Sequence, residues 1–178
     1  MLLASSEAGQ SDAPPARPRP ADWEPEDRCY AVDLPRGEAA WQRAAPFLEL
    51  LGHEEHPQKD AWDGGMRDLQ EAAIEGQLEG QYRYGITLFG FLYTDHAPEP
   101  RDRDSYVRAL TYLRIAALRG HERAGRSLPG IGMPKLGKST VLEAPLDSLP
   151  RQWVSDAFHA ADFWMSCHGK DGSAPKDR

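Results

Sequence analysis

The sequence predicts an all-α protein, a short right-handed solenoid of helical repeats that is closed by a capping C-terminal helix. The main observation is that residues 69–76 and 113–120 share their Leu, Ala-Ala and Gly spacing at an offset of 113 − 69 = 44 residues. Periods of this length are typical of helical-repeat arrays, in which each helix pair buries its apolar face against its neighbours. We therefore expect a helical-repeat domain over residues 28–168, with a broad surface suited to binding another macromolecule.

The composition supports one folded domain with polar ends. Of the 178 residues, 40% are hydrophobic and 28% are charged, which is ordinary for a globular protein. The formal net charge of −7 disfavours nucleic acids and anionic membranes as main ligands, because both attract clustered cations. No run approaches the roughly 20 apolar residues that span a bilayer. Residues 1–27 are expected to form a flexible proline-rich segment, and residues 169–178 a disordered tail.

Three helices are expected in the N-terminal half. Apolar residues recur at helical spacing over about residues 37–51. A polar segment at 53–65 then leads to a second helix at about 66–75. A third helix follows at once, at about 78–93, and Gly76 marks the junction between the two.

Two further helices are expected in the C-terminal half. After a proline-containing loop at 94–103, a fourth helix is expected to run up to Gly120. Residues 127–145 are rich in Pro and Gly, which predicts an irregular connection. The last helix begins around Pro150, and its apolar stripe at 153–165 predicts that it caps the open end of the array.

One part of the chain resembles a known repeat family. Residues 79–89 and 104–124 together look like one full Sel-one-like repeat, a relative of the tetratricopeptide repeats. The resemblance covers roughly residues 66–125, and residues 116–121 carry its Ala-Ala-x-x-Gly-His signature. The Gly-x-Gly turn expected in the family is replaced here by residues 93–100. The resemblance implies an adaptor, and short bacterial members include immunity proteins that neutralise type VI secretion effectors, notably phospholipase toxins.

The leading functional hypothesis is an immunity protein that binds and neutralises a secreted antibacterial toxin, such as a type VI phospholipase effector. A general protein–protein adaptor of the same family is the alternative. We expect no enzymatic activity, because no Gly-x-Ser-x-Gly elbow or other catalytic arrangement is present in the sequence. No cofactor and no metal are expected.

Two motif matches are interpreted as accidental. Residues 132–139 match GxxxxGK[ST], but they lack the preceding strand and following helix that a phosphate-binding loop needs. The segment His53-Glu54-Glu55-His56 lacks the HExxH spacing of a zinc site, so we interpret it as a solvated acidic loop.

The first residues and the two cysteines bear on the location of the protein in the cell. Residues 1–6 resemble the remnant of a signal sequence, with Ser6 where a lipoprotein box requires cysteine. We expect a periplasmic bacterial protein, lipid-anchored before truncation in one alternative, and a cytoplasmic location stays open. In a periplasm Cys29 and Cys167 could form a disulfide, whereas in a cytosol they would be two separate thiols. The sequence does not supply the distance between them.

The partner surface is predicted from loops and from one helix face. Loops on a rigid scaffold are common binding sites, and acidic groups would steer a basic partner surface. Trp62 is included because it lies outside the repeat pattern and tryptophan is enriched among interface anchors. The partner-binding candidates are Glu54, Glu55, Trp62, Glu79, Arg83, Thr87, Asp95 and His96.

Overall fold

The chain is all-helical in the computed structural model, which describes residues 29–53, 57–95, 98–127 and 149–172. No strand is present in these ranges, so the expected all-α class is confirmed for them. A 3-10 turn at Pro100–Asp102 precedes the fourth helix. The helices are α1 (Leu34–His53), α2 (Lys59–Ile74), α3 (Leu78–Asp95), α4 (Arg103–Leu118), α5 (Glu122–Ser127) and α6 (Arg151–His168).

Each of the helices α1 to α4 packs against the next helix in sequence, and α4 lies at the centre. The pairs α1–α2, α2–α3 and α3–α4 are in contact, and α6 packs on α4. One cluster of buried side chains surrounds Phe89 and Leu110, and a second surrounds Leu69 and Tyr112. Because Leu110 and Tyr112 both belong to α4, this helix joins the two clusters into one core.

The two stretches that are alike in sequence end in the same turn. Gly76 has a φ of 80° and Gly120 a φ of 94°, a backbone region that glycine enters without steric cost. In each turn the glycine N–H bonds to the carbonyl three residues back and the next N–H to the carbonyl five residues back, at 2.9–3.2 Å. The two glycines are 120 − 76 = 44 residues apart, which is the offset found in the sequence. The same backbone hydrogen bonds therefore recur at this offset.

The second helix begins earlier than the sequence indicates. The polar segment expected at 53–65 is wrong over its second half, because α2 starts at Lys59. Gly65 explains why a glycine-containing stretch is helical: a Cβ there would come within 2.0 Å of the Phe47 ring. Only a residue without a side chain lets α1 and α2 approach this closely, so tertiary packing outweighs the low helix propensity of glycine.

The loop expected at 94–103 is shorter than predicted. Helix α3 continues to Asp95, and the 3-10 turn and Arg103 already lead into α4. Most of the irregular connection expected at 127–145 lies outside the described residues, and Ser127 itself ends α5. The expected flexible segment at 1–27 also lies outside them.

The two ends of the described chain are joined covalently. Of the two alternatives for the cysteines, the structure has the disulfide between Cys29 and Cys167, with a Cα–Cα distance of 5.4 Å. Cys29 precedes α1, and Cys167 lies in the last turn of α6. The bond therefore links the segment that leads into α1 to the last turn of α6.

Arg119 holds the residues that follow α6. Its guanidinium donates hydrogen bonds to the carbonyls of Lys170 and Asp171, at 3.1 and 3.3 Å. It also donates to the Gly76 carbonyl at 2.7 Å and to Oε1 of Gln81 at 2.8 Å. Residues expected at the start of a disordered tail thus form turns that are tied to the beginning of α3. None of the described helices combines the length and the apolar character needed to cross a membrane.

Candidate functional site

A row of residues spaced four apart winds along α3 and includes three that the sequence singled out. Glu79, Arg83, Thr87 and Phe91 are spaced four residues apart, so they follow one another along the helix surface. At a rise of about 1.5 Å per residue, the distance along the helix from Glu79 to Phe91 is about 18 Å. Thr87 is half-buried, whereas the Arg83 side chain is 37% exposed and Phe91 is 46% exposed. We call this set of four residues the α3 face.

A hydrogen-bonded pair lies at the first end of the α3 face. Nε2 of His121 is 2.7 Å from Oε2 of Glu79, and Nδ1 of His121 accepts the N–H of Ala124 at 3.2 Å. Because Nδ1 is an acceptor, we assign the proton to Nε2, which donates it to Glu79. Arg83 donates to the other oxygen of Glu79 at 3.0 Å. The Tyr82 ring stacks on the imidazole, with the centroids 4.3 Å apart.

These contacts set the charge of Glu79. Partial burial raises the pKa of the Glu79 carboxyl, but the hydrogen bonds from His121 and Arg83 outweigh burial and hold the pKa below its usual value of 4.5. Glu79 is therefore ionised at neutral pH. Its negative charge is compensated by Arg83, so this end of the α3 face is less acidic than the sequence suggests.

An open cleft of about 520 Å³ lies beside this pair, between α3 and α5. Arg126 forms an ion pair at 2.9 Å with Glu122, one turn earlier on α5. In the part of the chain that the structure describes, no three His, Cys, Asp or Glu side chains come together as metal ligands do. The arrangement can form hydrogen bonds and ion pairs with a partner. The residues lining the cleft are Glu79, His121, Glu122, Arg123 and Arg126.

An aromatic pair lies at the second end of the α3 face. The rings of Trp62, from α2, and Phe91 are 4.7 Å apart. On its other side Trp62 meets the Phe47 ring edge-to-face at 5.7 Å. Trp62 is therefore half-buried in a helix, and Phe91 is the more exposed member of the pair.

Sequence reasoning missed Phe91 and His121 as members of this surface. Phe91 lies in the apolar run 88–92, where no polar residue indicates which side chain faces outward. The usable signal was its position four residues after Thr87. His121 directly follows the turn at Gly120, and its hydrogen bonds to Glu79 and Ala124 place it beside the cleft.

The remaining partner-binding candidates are not all placed by the structure. Glu54, Glu55 and His96 lie outside the described residues. Asp95 was expected in a loop but is the last residue of α3. The α3 face thus brings together Glu79, Arg83 and Thr87, with Trp62 beside it.

No protein-family model, curated protein or solved structure matches the chain. The features of the molecule that bear on its function are the α3 face and the disulfide.

Proposed function

We propose that this chain is a periplasmic protein-binding module, a short right-handed solenoid of Sel-one-like repeats, that neutralises a secreted antibacterial toxin. The observation that carries the proposal is the aromatic pair Trp62–Phe91, with Phe91 46% exposed at the end of a polar helix face. Exposed large aromatic side chains next to polar groups are typical of protein interfaces, where aromatic anchors supply most of the binding energy.

The repeat assignment is supported by the two matching turns. The pairs α2–α3 and α4–α5 each meet at a glycine with positive φ, Gly76 or Gly120. After each glycine the side chain of the next residue, Gln77 or His121, accepts the N–H of the residue three positions further on. One structural unit used twice is the arrangement from which repeat arrays are built.

The periplasmic location is supported by the disulfide. Disulfides between Cys residues persist in oxidising compartments and are rare in a reducing cytosol. A location where secreted toxins arrive is also where a neutralising partner would have to act.

Neutralisation would proceed by occlusion. The α3 face offers about 18 Å of contact along one helix, with an aromatic anchor at one end and the Glu79–Arg83 ion pair at the other. A toxin docked there would have its active site, or the approach of its substrate, covered by the helical array. A phospholipase effector is the first candidate to test, and the general adaptor remains the alternative outcome.

The experiment is affinity capture from periplasmic extract of the native cell, followed by mass spectrometry. Wild-type bait is expected to enrich one secreted toxin, and bait carrying Phe91→Asp is expected to lose it. Co-expression of the wild-type chain should then protect cells from that toxin. Capture of several unrelated proteins and of no toxin would overturn the immunity proposal in favour of the adaptor.

A further inference from the structure

We propose that the Cys29–Cys167 disulfide is a redox-controlled latch that holds residues 29–33, here called the strap, against the ends of α2 and α6. Cys29 is exposed, whereas Cys167 is only 3% exposed. The strap has no regular secondary structure and runs directly into α1. A change at the disulfide can therefore act on this segment first.

Tyr30 connects the strap to both helices that it crosses. Its hydroxyl donates to the Ile74 carbonyl, in the last turn of α2, at 2.8 Å. The same hydroxyl accepts a hydrogen bond from Nε1 of Trp164, in α6, at 3.2 Å. The Tyr30 ring also lies 5.2 Å from the ring of His168. The strap thus covers part of the surface at which α2 and α6 end.

The second half of the strap covers the first matched turn. The N–H of Asp33 donates to Oε2 of Glu75 at 2.8 Å. Val32 lies beside Gly76, since its Cβ would be 3.6 Å from a Cβ built on that glycine. Release of the strap would uncover this turn, which leads directly into α3.

No residue of the strap is fully buried. Tyr30, Val32 and Asp33 are only partly buried, and Ala31 is exposed like Cys29. Fixing the backbone of each strap residue opposes its binding, and hydrogen bonds made at partial burial, among them those of Tyr30 and Asp33, offset this only in part. The disulfide keeps the strap close to its site even when these contacts open.

The exposed sulfur also determines how the latch opens. A thiolate of a dithiol reductant attacks Sγ of Cys29, forms a mixed disulfide with it, and displaces Cys167 as a thiolate that takes up a proton. The second thiolate of the reductant then attacks the mixed disulfide and releases Cys29, which is protonated in turn. The reductant is oxidised to a disulfide, and the protein gains two electrons and two protons.

The test is hydrogen exchange measured by mass spectrometry on the oxidised full chain and on the chain reduced with dithiothreitol. Reduction is verified by the gain of two hydrogens in intact mass. We expect exchange over residues 30–36 and 162–172 to rise at least about tenfold, while α2 and α4 keep their protection, since segments of low local stability open independently of the core. Unchanged exchange in the strap would overturn the latch, and so would a loss of protection that is equal across all helices.

The double variant Cys29→Ala/Cys167→Ala provides the matched control. It should show the exchange of the reduced wild type and should not respond to dithiothreitol. A second variant, Tyr30→Phe, keeps the disulfide but removes both hydroxyl hydrogen bonds, so the latch predicts that its strap stays protected until reduction. If Tyr30→Phe releases the strap with the disulfide intact, the hydroxyl and not the disulfide holds it, and the proposal fails.

Discussion

The imidazole of His121 donates a hydrogen bond to the Glu79 carboxylate at 2.7 Å and so ties the start of α5 to the start of α3. This pair does not depend on any partner, because both residues belong to the described fold. It therefore allows the first end of the α3 face to be tested by stability alone.

The first prediction concerns acid stability. The pKa of Glu79 is below its usual 4.5 in the folded state, so its stabilising contribution is complete above that value and is lost as the pH falls through the folded pKa. Glu79→Gln should lower the free energy of unfolding at neutral pH and weaken its decline below about pH 4.5. Urea unfolding across this range measures both effects. Glu122→Gln is the control, because the Glu122 side chain is 82% exposed. Its free energy of unfolding should change with pH as that of the wild type does.

The second prediction compares one substitution at two glycines of α3. A Cβ on Gly85 would come within 2.8 Å of the Ala109 carbonyl oxygen and of Cγ of Leu113, so Gly85→Ala should destabilise the protein by about 1–3 kcal/mol. A Cβ on Gly90 would meet no described atom within 4 Å, so Gly90→Ala should stabilise by up to about 1 kcal/mol through helix propensity. Chemical denaturation measures both, and equal effects would contradict the close approach of α3 to α4.

Local pattern was enough to predict the turns and the class of the fold. Gly120 was expected to end a helix, and Leu69 and Leu113, which have the same position in the two stretches, are both completely buried. Such features depend on neighbours in sequence and on helical period. The turn after each Ala-Ala pair could therefore be predicted from a single sequence.

Long-range contacts could not be predicted in the same way. The disulfide joins residues separated by 138 positions, and the helix at Lys59 depends on Gly65 packing under Phe47. Neither of these contacts can be predicted from residues that are close in sequence. The exposure of Phe91 was missed for the same reason, because only the arrangement of α2 and α3 decides which side of an apolar run stays uncovered.

The third prediction concerns Arg119. Burial lowers the pKa of its guanidinium, and Arg119→Ala would leave the Gly76 carbonyl and Oε1 of Gln81 without the cation that bonds them. We expect a loss of about 2–3 kcal/mol in the free energy of unfolding, measured by denaturant titration. Arg126→Ala removes an exposed pair with Glu122 and should change stability by less than about 0.5 kcal/mol. An equally small effect at Arg119 would contradict its role in holding residues 170–171.

The fourth prediction concerns the partner surface. Phe91→Asp should weaken binding of the captured partner by at least about tenfold, because loss of an aromatic anchor that is buried in an interface typically costs about 2 kcal/mol or more. Its thermal stability should stay close to that of the wild type, since the side chain is 46% exposed. Leu34→Asp is the matched control, because Leu34 is similarly exposed, at 41%, and lies at the start of α1. Calorimetric titration of the partner with both variants measures the two affinities. Equal affinities would show that the partner binds outside the α3 face.

The bond between Cys29 and Cys167 makes the main chain between them a closed covalent ring. A single cut at any peptide bond inside that ring opens it without dividing the molecule, so α1 and α6 stay attached. A nicked chain would migrate as one species in a gel without reductant and as two with it.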